Sequence, residues 1–207
     1  MRRSALVLLL LLGALAAVPA ALADGDPASD YLLRLQTFVP PDAGISSSDQ
    51  AQLTSLVTGA RKGGYTIRVA VIASKYDMGS VTVLYKRPKL YAHFLSQELR
   101  FVYKQRVLVV MSNGYGVASN GKPLPAEQKV LDKLPLPSAT HGPGLAGSAA
   151  RAVRALALNA GVKIKPAPIV KAKSSGDTTN RDRLVIALVA LVVLLLALGV
   201  GYFRKRR

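Results

Sequence analysis

Few residues in this chain have the type and spacing to do chemistry. His93 and His141 are its two histidines, cysteine is absent, and the carboxylates in predicted loops of the central region reduce to Asp42, Asp49 and Asp77. Thiol catalysis and thiolate metal sites are therefore excluded. Hydrolysis at a protein nucleophile needs a base within hydrogen-bond reach, and metal-assisted hydrolysis needs a clustered set of ligands. Neither histidine stands beside a recognisable nucleophile: His93 falls on the cationic face of a predicted helix and His141 beside Gly142-Pro143 in a predicted loop. The glycine pairs do not form a phosphate loop. Tyr65, Tyr76, Tyr85, Tyr91, Tyr103 and Tyr115 read as half-buried fillers rather than a binding cage. What remains is charge. Lys89, Arg100 and Lys104 share the polar face of the helix predicted after Pro88, and Lys86 and Arg87 extend that basic face at its start. Such a face binds anions, whether acidic lipid headgroups, an anionic envelope polymer or an acidic protein surface.

The elements that must position these residues can be read from periodicity. Pro40 to Ile45 is a loop, and Ser46-Ser47-Ser48-Asp49-Gln50 opens a helix whose hydroxyls can serve as N-cap, with Asp49 or Gln50 closing a capping box. Leu53, Leu56, Val57 and Ala60 form its apolar stripe, and Gly63-Gly64 ends it. Residues 65–73, YTIRVAVIA, are rich in β-branched side chains and read as a buried strand carrying one charge, Arg68. Along the helix that Pro88 starts, Tyr91, Leu95, Leu99 and Val102 fall on one face, opposite Lys89, His93, Gln97, Arg100 and Lys104. RVLVVM at 106–111 is a second buried strand, and Asn113-Gly114 and Asn120-Gly121 bracket a short third one. A short helix is expected within 123–134 and a last one from about Leu145 to Asn159, with Leu145, Ala149, Ala152 and Leu156 inward. Strands alternating with helices predict an α/β fold: a small, mostly parallel sheet covered by helices on both faces, in three layers.

The ends of the chain address this domain to a compartment. Arg2-Arg3, the apolar run 5–18 and the triplet Ala21-Leu22-Ala23 have the order of a secretory signal peptide, so residues 1–23 are expected to be removed. Residues 184–203 are twenty in a row without a charge, which at about 1.5 Å per residue spans the roughly 30 Å core of a bilayer. Arg204-Lys205-Arg206-Arg207 follow as a basic cytoplasmic tail. The expected layout is a signal peptide, an extracytoplasmic domain at 24–162, a flexible stalk at 163–183 rich in Pro, Lys and Ser, one transmembrane helix at 184–203 and the tail at 204–207. The chain would then sit in the plasma membrane with its domain outside. Of the net charge of +17, the part from Asp24 to Arg183 keeps +11 once Arg2, Arg3 and the four tail residues are set aside. That charge attracts anions, and since the expected location outside the cytoplasm argues against nucleic acid, the expected partners are acidic lipid, anionic polymer or acidic protein. The lack of cysteine suggests a bacterial source.

The order of elements resembles the TPM domain, an extracytoplasmic α/β module made with a signal peptide and a membrane helix. Asp42-Ala43-Gly44-Ile45-Ser46 is similar to the family's entry to the first helix, and IRVAVIA, VLVVM and Gly114-Tyr115-Gly116-Val117 resemble its strand and glycine signatures, across about 39–158. The resemblance implies a membrane-anchored accessory role in assembling or regulating another membrane or envelope protein. It also implies weak phosphatase activity and calcium binding, as in some members. For Ca2+ the candidate ligands here are Asp42 and Asp77, which follow the first loop and the first predicted strand, in the crevice where open α/β sheets hold ligands.

Overall fold

The computed structural model describes residues 25–137 and 142–165. Both apolar runs of the sequence reading, the tail, most of the stalk and His141 lie outside the described residues. Among the described residues no helix is long and apolar enough to cross a membrane.

The fold is α/β, built on a mixed five-stranded sheet in the order β1 (Thr37–Phe38), β2 (Ile67–Ile72), β3 (Arg106–Met111), β4 (Gly114–Ser119), β5 (Lys122–Pro123). β1, β2 and β3 run parallel, whereas β3–β4 and β4–β5 are antiparallel. The expectation of a mostly parallel sheet is corrected to a mixed one. The cause is local: two residues, Ser112-Asn113, join β3 to β4, and a parallel crossover needs a dozen or more.

β2 and β3 form the centre because neither has a polar face. Their register sets Val69 beside Leu108 and Val71 beside Val110 on one side, and Ala70 beside Val109 and Ile72 beside Met111 on the other. The first side is covered by α2 (Ser47–Lys62), α4 (Pro125–Leu131) and α5 (Pro143–Asn159), through residues including Leu53, Leu56, Leu131, Ala149 and Leu156. The second is covered by α1 (Pro27–Arg34) and α3 (Pro88–Glu98), through Ala28, Leu32, Tyr91 and Leu95. Ser46 caps α2 as the sequence predicts: its hydroxyl accepts from the Asp49 backbone N–H and donates to the Asp49 carboxylate.

α1 and β1 were not legible from periodicity. α1 has a readable start, Asp26 as N-cap and Pro27 at the first turn, with Asp26 accepting from the Ser29 N–H. Two short 3-10 turns within Lys75–Leu84, separated by a kink at Gly79 (φ 52°), follow β2 where the sequence suggests a loop at 74–79 and a short segment to Tyr85. A second correction concerns Val102. The α3 helix tightens into a 3-10 turn at Leu99–Phe101, which shifts the angular phase, so Tyr91, Leu95 and Leu99 are buried while Val102 is 65% exposed.

Strand order adds a topological consequence. β1, β2 and β3 lie side by side in chain order, yet the β1-to-β2 connection through α2 passes over one face and the β2-to-β3 connection through α3 over the other. The two crossovers are therefore of opposite hand, and one is left-handed, against the strong general preference. It places α3 mainly over β3 and β4, where β4 turns its small residues, Gly116 and Ala118, toward the helix. A Cβ at Gly116 would lie 2.0 Å from the Pro88 carbonyl oxygen and 2.6 Å from the Lys89 nitrogen, both backbone atoms. Gly116→Ala should accordingly lift the start of α3 off the sheet and lower stability by about 3 kcal/mol in urea denaturation, because neither partner is a side chain that can swing away. A change below about 0.5 kcal/mol would show that the helix start is not held by this contact.

Candidate functional site

The turn after the carboxyl end of β3 and the start of β4 open on a cleft of about 480 Å³ between the first turn of α3 and the segment after α4. Its apolar walls include Pro88, Leu90, Leu131, Leu134 and Leu136; its polar groups are Arg87, Lys89, Asn113 and Asp132. Leu90 and Leu136 are 53% and 65% exposed, so the cleft presents apolar surface to solvent. The Asn113 side-chain amide donates to the Lys86 carbonyl at 2.6 Å, tying the β3–β4 turn to the segment that leads into α3. Tyr115 supports the floor from below, its hydroxyl donating to the Pro135 carbonyl at 2.9 Å.

Lys89 spans the cleft to Asp132 at 3.1 Å. The Asp132 carboxyl is held below the usual carboxylate range chiefly by the Gln128 amide; burial opposes this, and the hydrogen bond and charge of Lys89 add to it. The pair is exposed, and pairs of this kind contribute about 0–1 kcal/mol. Arg87 has no carboxylate within ion-pair distance among the described residues.

The five residues of the sequence-predicted basic face do not share one face. Lys86, Arg87 and Lys89 stand at the start of α3, at the carboxyl edge of the parallel strands. Arg100 and Lys104 stand beyond its end, at the amino edge, where the Lys104 carbonyl accepts from Ser119. An 11-residue helix separates the groups by roughly 16 Å. His93 lies half-buried along α3 between them.

The two candidate calcium ligands have different fates. Asp42 is exposed on the turn at 41–43. Asp77 is buried, and its carboxylate accepts from the backbone N–H groups of Ala73 (2.8 Å) and Ser74 (2.7 Å) and from the Ser74 hydroxyl (3.2 Å), closing a capping box on the 3-10 segment. Calcium needs six to eight oxygens. A carboxylate already serving three donors beside a solitary exposed one does not fit that requirement, and no group of three His, Cys, Asp or Glu side chains gathers among the described residues.

Two buried polar groups escaped the sequence reading. Asp26 is enclosed between α1 and α3, and the Tyr91 hydroxyl donates to its Oδ1. Burial pushes the Asp26 carboxyl up to about 6, although the hydrogen bonds from Tyr91 and Ser29 pull the other way. The Tyr91 hydroxyl is pushed up by burial and by the Asp26 charge. At the opposite edge Arg106 pairs with Glu127 at 2.7 Å and lies 4.5 Å from the Tyr65 ring centre. Burial opposes the Arg106 charge, and Glu127 together with the neighbouring Tyr65 and Tyr103 more than restores it. The Tyr65 hydroxyl and Glu127 Oε2 are both enclosed without a hydrogen bond; burial and then the Glu127 charge raise the phenol. An aspartate before a proline was the available signal for Asp26. For Arg106–Glu127 there was none, since 21 residues separate the partners.

No family model, characterised protein or solved structure matches this chain.

Two outcomes follow from the carboxylates. Folded Asp26 holds its proton to higher pH than the unfolded chain, whose carboxyl titrates near 3.8. Its contribution is thus most favourable below about pH 4 and is lost as pH rises through about 6. Asp26→Asn should remove this component, so that the wild-type-minus-variant stability difference slopes downward from pH 4 to 6 and flattens above; a flat difference throughout would refute the raised carboxyl. Asp77→Ala should cost about 2 kcal/mol at neutral pH, from three donors losing their acceptor. Thermal unfolding at fixed pH measures it, and a neutral result would free Asp77 for another role.

Proposed function

We propose that this chain is a single-pass, membrane-anchored extracytoplasmic interaction module, accessory to the assembly or regulation of another membrane or envelope protein. On this reading the cleft at the carboxyl edge grips an acidic, partly apolar segment of that partner. The apolar runs at 5–18 and 184–203 support the anchoring, and the resemblance to the TPM domain supports the accessory role.

One observation carries the choice of surface: exposed apolar walls and an unbalanced cation occur in the same cleft. Leu90 and Leu136 offer an apolar side chain a dry seat, while Arg87 offers a carboxylate a planar, bidentate donor. The volume suits one or two side chains of a partner rather than a folded surface. Lys89 is held to Asp132 only by an exposed pair, so an incoming carboxylate can replace Asp132 at little cost. Asp77 points away from catalysis as well, since its lone pairs serve the backbone.

A photocrosslinking side chain in place of Leu136, in the full chain in intact cells, should give a defined adduct with one membrane protein. Arg87→Glu should reduce the adduct roughly tenfold, as expected for reversing a charge in a desolvated contact, whereas Lys104→Glu at the far edge should leave it unchanged. An adduct indifferent to Arg87→Glu would defeat the proposed use of the cleft.

A further inference from the structure

The opposite edge of the sheet carries a second surface. The segment between α3 and β3 turns its chain outward at Phe101 and Val102, which are 82% and 65% exposed. Neighbouring residues brace this turn from behind. Leu99 is buried in the core, and its carbonyl accepts from the Val102 and Tyr103 N–H groups at 2.9 and 2.7 Å. Tyr103 lies under the Arg68 guanidinium, 4.0 Å from its ring centre, and its hydroxyl donates to the Arg106 carbonyl at 3.1 Å. Ser119 fastens the Lys104 carbonyl at 2.8 Å. An aromatic and an aliphatic side chain on a turn held this firmly are presented to solvent by construction, and they lose little conformational freedom on docking.

Cations surround them. Arg100 lies against the Phe101 ring at 4.7 Å, and Lys104 and Lys122 flank the turn, all exposed. Across the same edge, in the other helical layer, stand exposed Arg61, Lys62 and Lys163. Glu98 is the exposed acid nearest the turn in sequence; Glu127 is occupied by Arg106.

The path of the chain says what this edge faces. The described chain ends at Lys165, whose carbonyl oxygen packs on Gly59 in the last turn of α2, so close that a Cβ there would lie 2.3 Å away, while Val162 packs on Gly63. The last turn of α2 leads into the amino end of β2, so the domain releases its chain at the edge that carries Phe101. Eighteen residues later the uncharged run 184–203 begins. The beginning of the described chain is elsewhere: the Gly25 carbonyl oxygen lies against Gly79 in the segment that follows the carboxyl end of β2.

We propose that the amino edge of the sheet docks on an anionic lipid bilayer, with Phe101 and Val102 entering the interface and Arg100, Lys104 and Lys122 on the acidic headgroups. This rests on the membrane-anchored reading above and adds an orientation to it: one end of α3 faces lipid, and the cleft at its other end faces away, toward a partner. The combination of inserted apolar side chains with a ring of cations is what stable interfacial binding requires, since neither contribution suffices alone.

The chain contains no tryptophan, so Phe101→Trp and Tyr76→Trp each create a lone reporter, the second on the carboxyl edge at a site 78% exposed. The full-length variants are reconstituted into vesicles of phosphatidylcholine with or without phosphatidylglycerol. In anionic vesicles Trp at 101 should emit to the blue and be quenched about twofold by brominated lipid. Trp at 76 should stay open to aqueous acrylamide. Adding Arg100→Gln and Lys104→Gln should weaken the docked state about tenfold or more. If the protein floats with vesicles through alkaline washing but Trp at 101 remains as open to acrylamide as Trp at 76, docking is refuted and anchoring survives. Quenching by brominated lipid at 76 instead of 101 would reverse the orientation and overturn the proposal, and equal quenching in phosphatidylcholine alone would overturn its anionic requirement. Failure to float would overturn the anchored reading and this one together.

Discussion

β2 and β3 present no polar side chain to either face over their inner residues, and everything else is arranged to keep both faces dry. Val69, Val71, Leu108 and Val110 require a layer on one side; Ala70, Ile72, Val109 and Met111 require another. Burying one large aliphatic side chain contributes about 1.5–3 kcal/mol, so neither layer is optional in a domain without disulfides. The helices are consequently fixed in place, and the positions of their ends, where the polar chemistry stands, follow from the apolar centre rather than from any attraction among the charged residues themselves.

Covering both faces with so few elements forces the crossovers to opposite hands. α2 and α5 fill one side. If the second crossover had the hand of the first, α3 would fall on that side too, leaving Ala70, Ile72 and Val109 covered by α1 alone. The β3–β4 hairpin eases the alternative path, because β4 supplies Gly116 and Ala118 as a shallow bed for α3, and the backbone of Pro88 fits against Gly116. α3 therefore spans the sheet from its carboxyl edge to its amino edge. Its first turn borders the cleft, and the residues beyond its last turn form the exposed apolar turn. A single apolar stripe, Tyr91, Leu95 and Leu99, positions two surfaces at once.

Long periodic segments were legible in the sequence: α2 with its Ser46 cap, β2, β3 and α5 stand where hydrophobic spacing places them, because each is long enough to repeat its pattern several times. Short elements were not. β1 has two residues and no period, and α1 is eight residues directly after the expected processing site. The phase error at Val102 has a different origin. A helical wheel assumes 3.6 residues per turn to the end, whereas the chain tightens at Leu99. The basic set failed for a related reason. A wheel reports which side of a helix a residue takes and says nothing of how far along it lies, so Lys89 and Arg100 looked like neighbours although α3 holds them at opposite edges. Burial by tertiary contact was likewise invisible, as with Asp26 under Tyr91.

The separation of the two basic groups bears on how such a module could act. A uniformly cationic domain beside an anionic bilayer would lie on it by whichever face offered most charge, and its partner-binding cleft would be covered as often as free. Apolar side chains would break that degeneracy, because insertion is short-ranged and Phe101 and Val102 project side by side next to Arg100, although single apolar side chains such as Tyr76 and Val83 are exposed elsewhere. On the proposed docking, charge would bring the domain down and the apolar turn would select the edge. Leu90 and Leu136 do not compete for lipid on the same terms, since they lie within the walls of a cleft, not on a projecting turn. Geometry at this scale, a projecting turn at one end of a helix and a recess at the other, would be enough to give the domain a defined up and down if it is tethered as proposed.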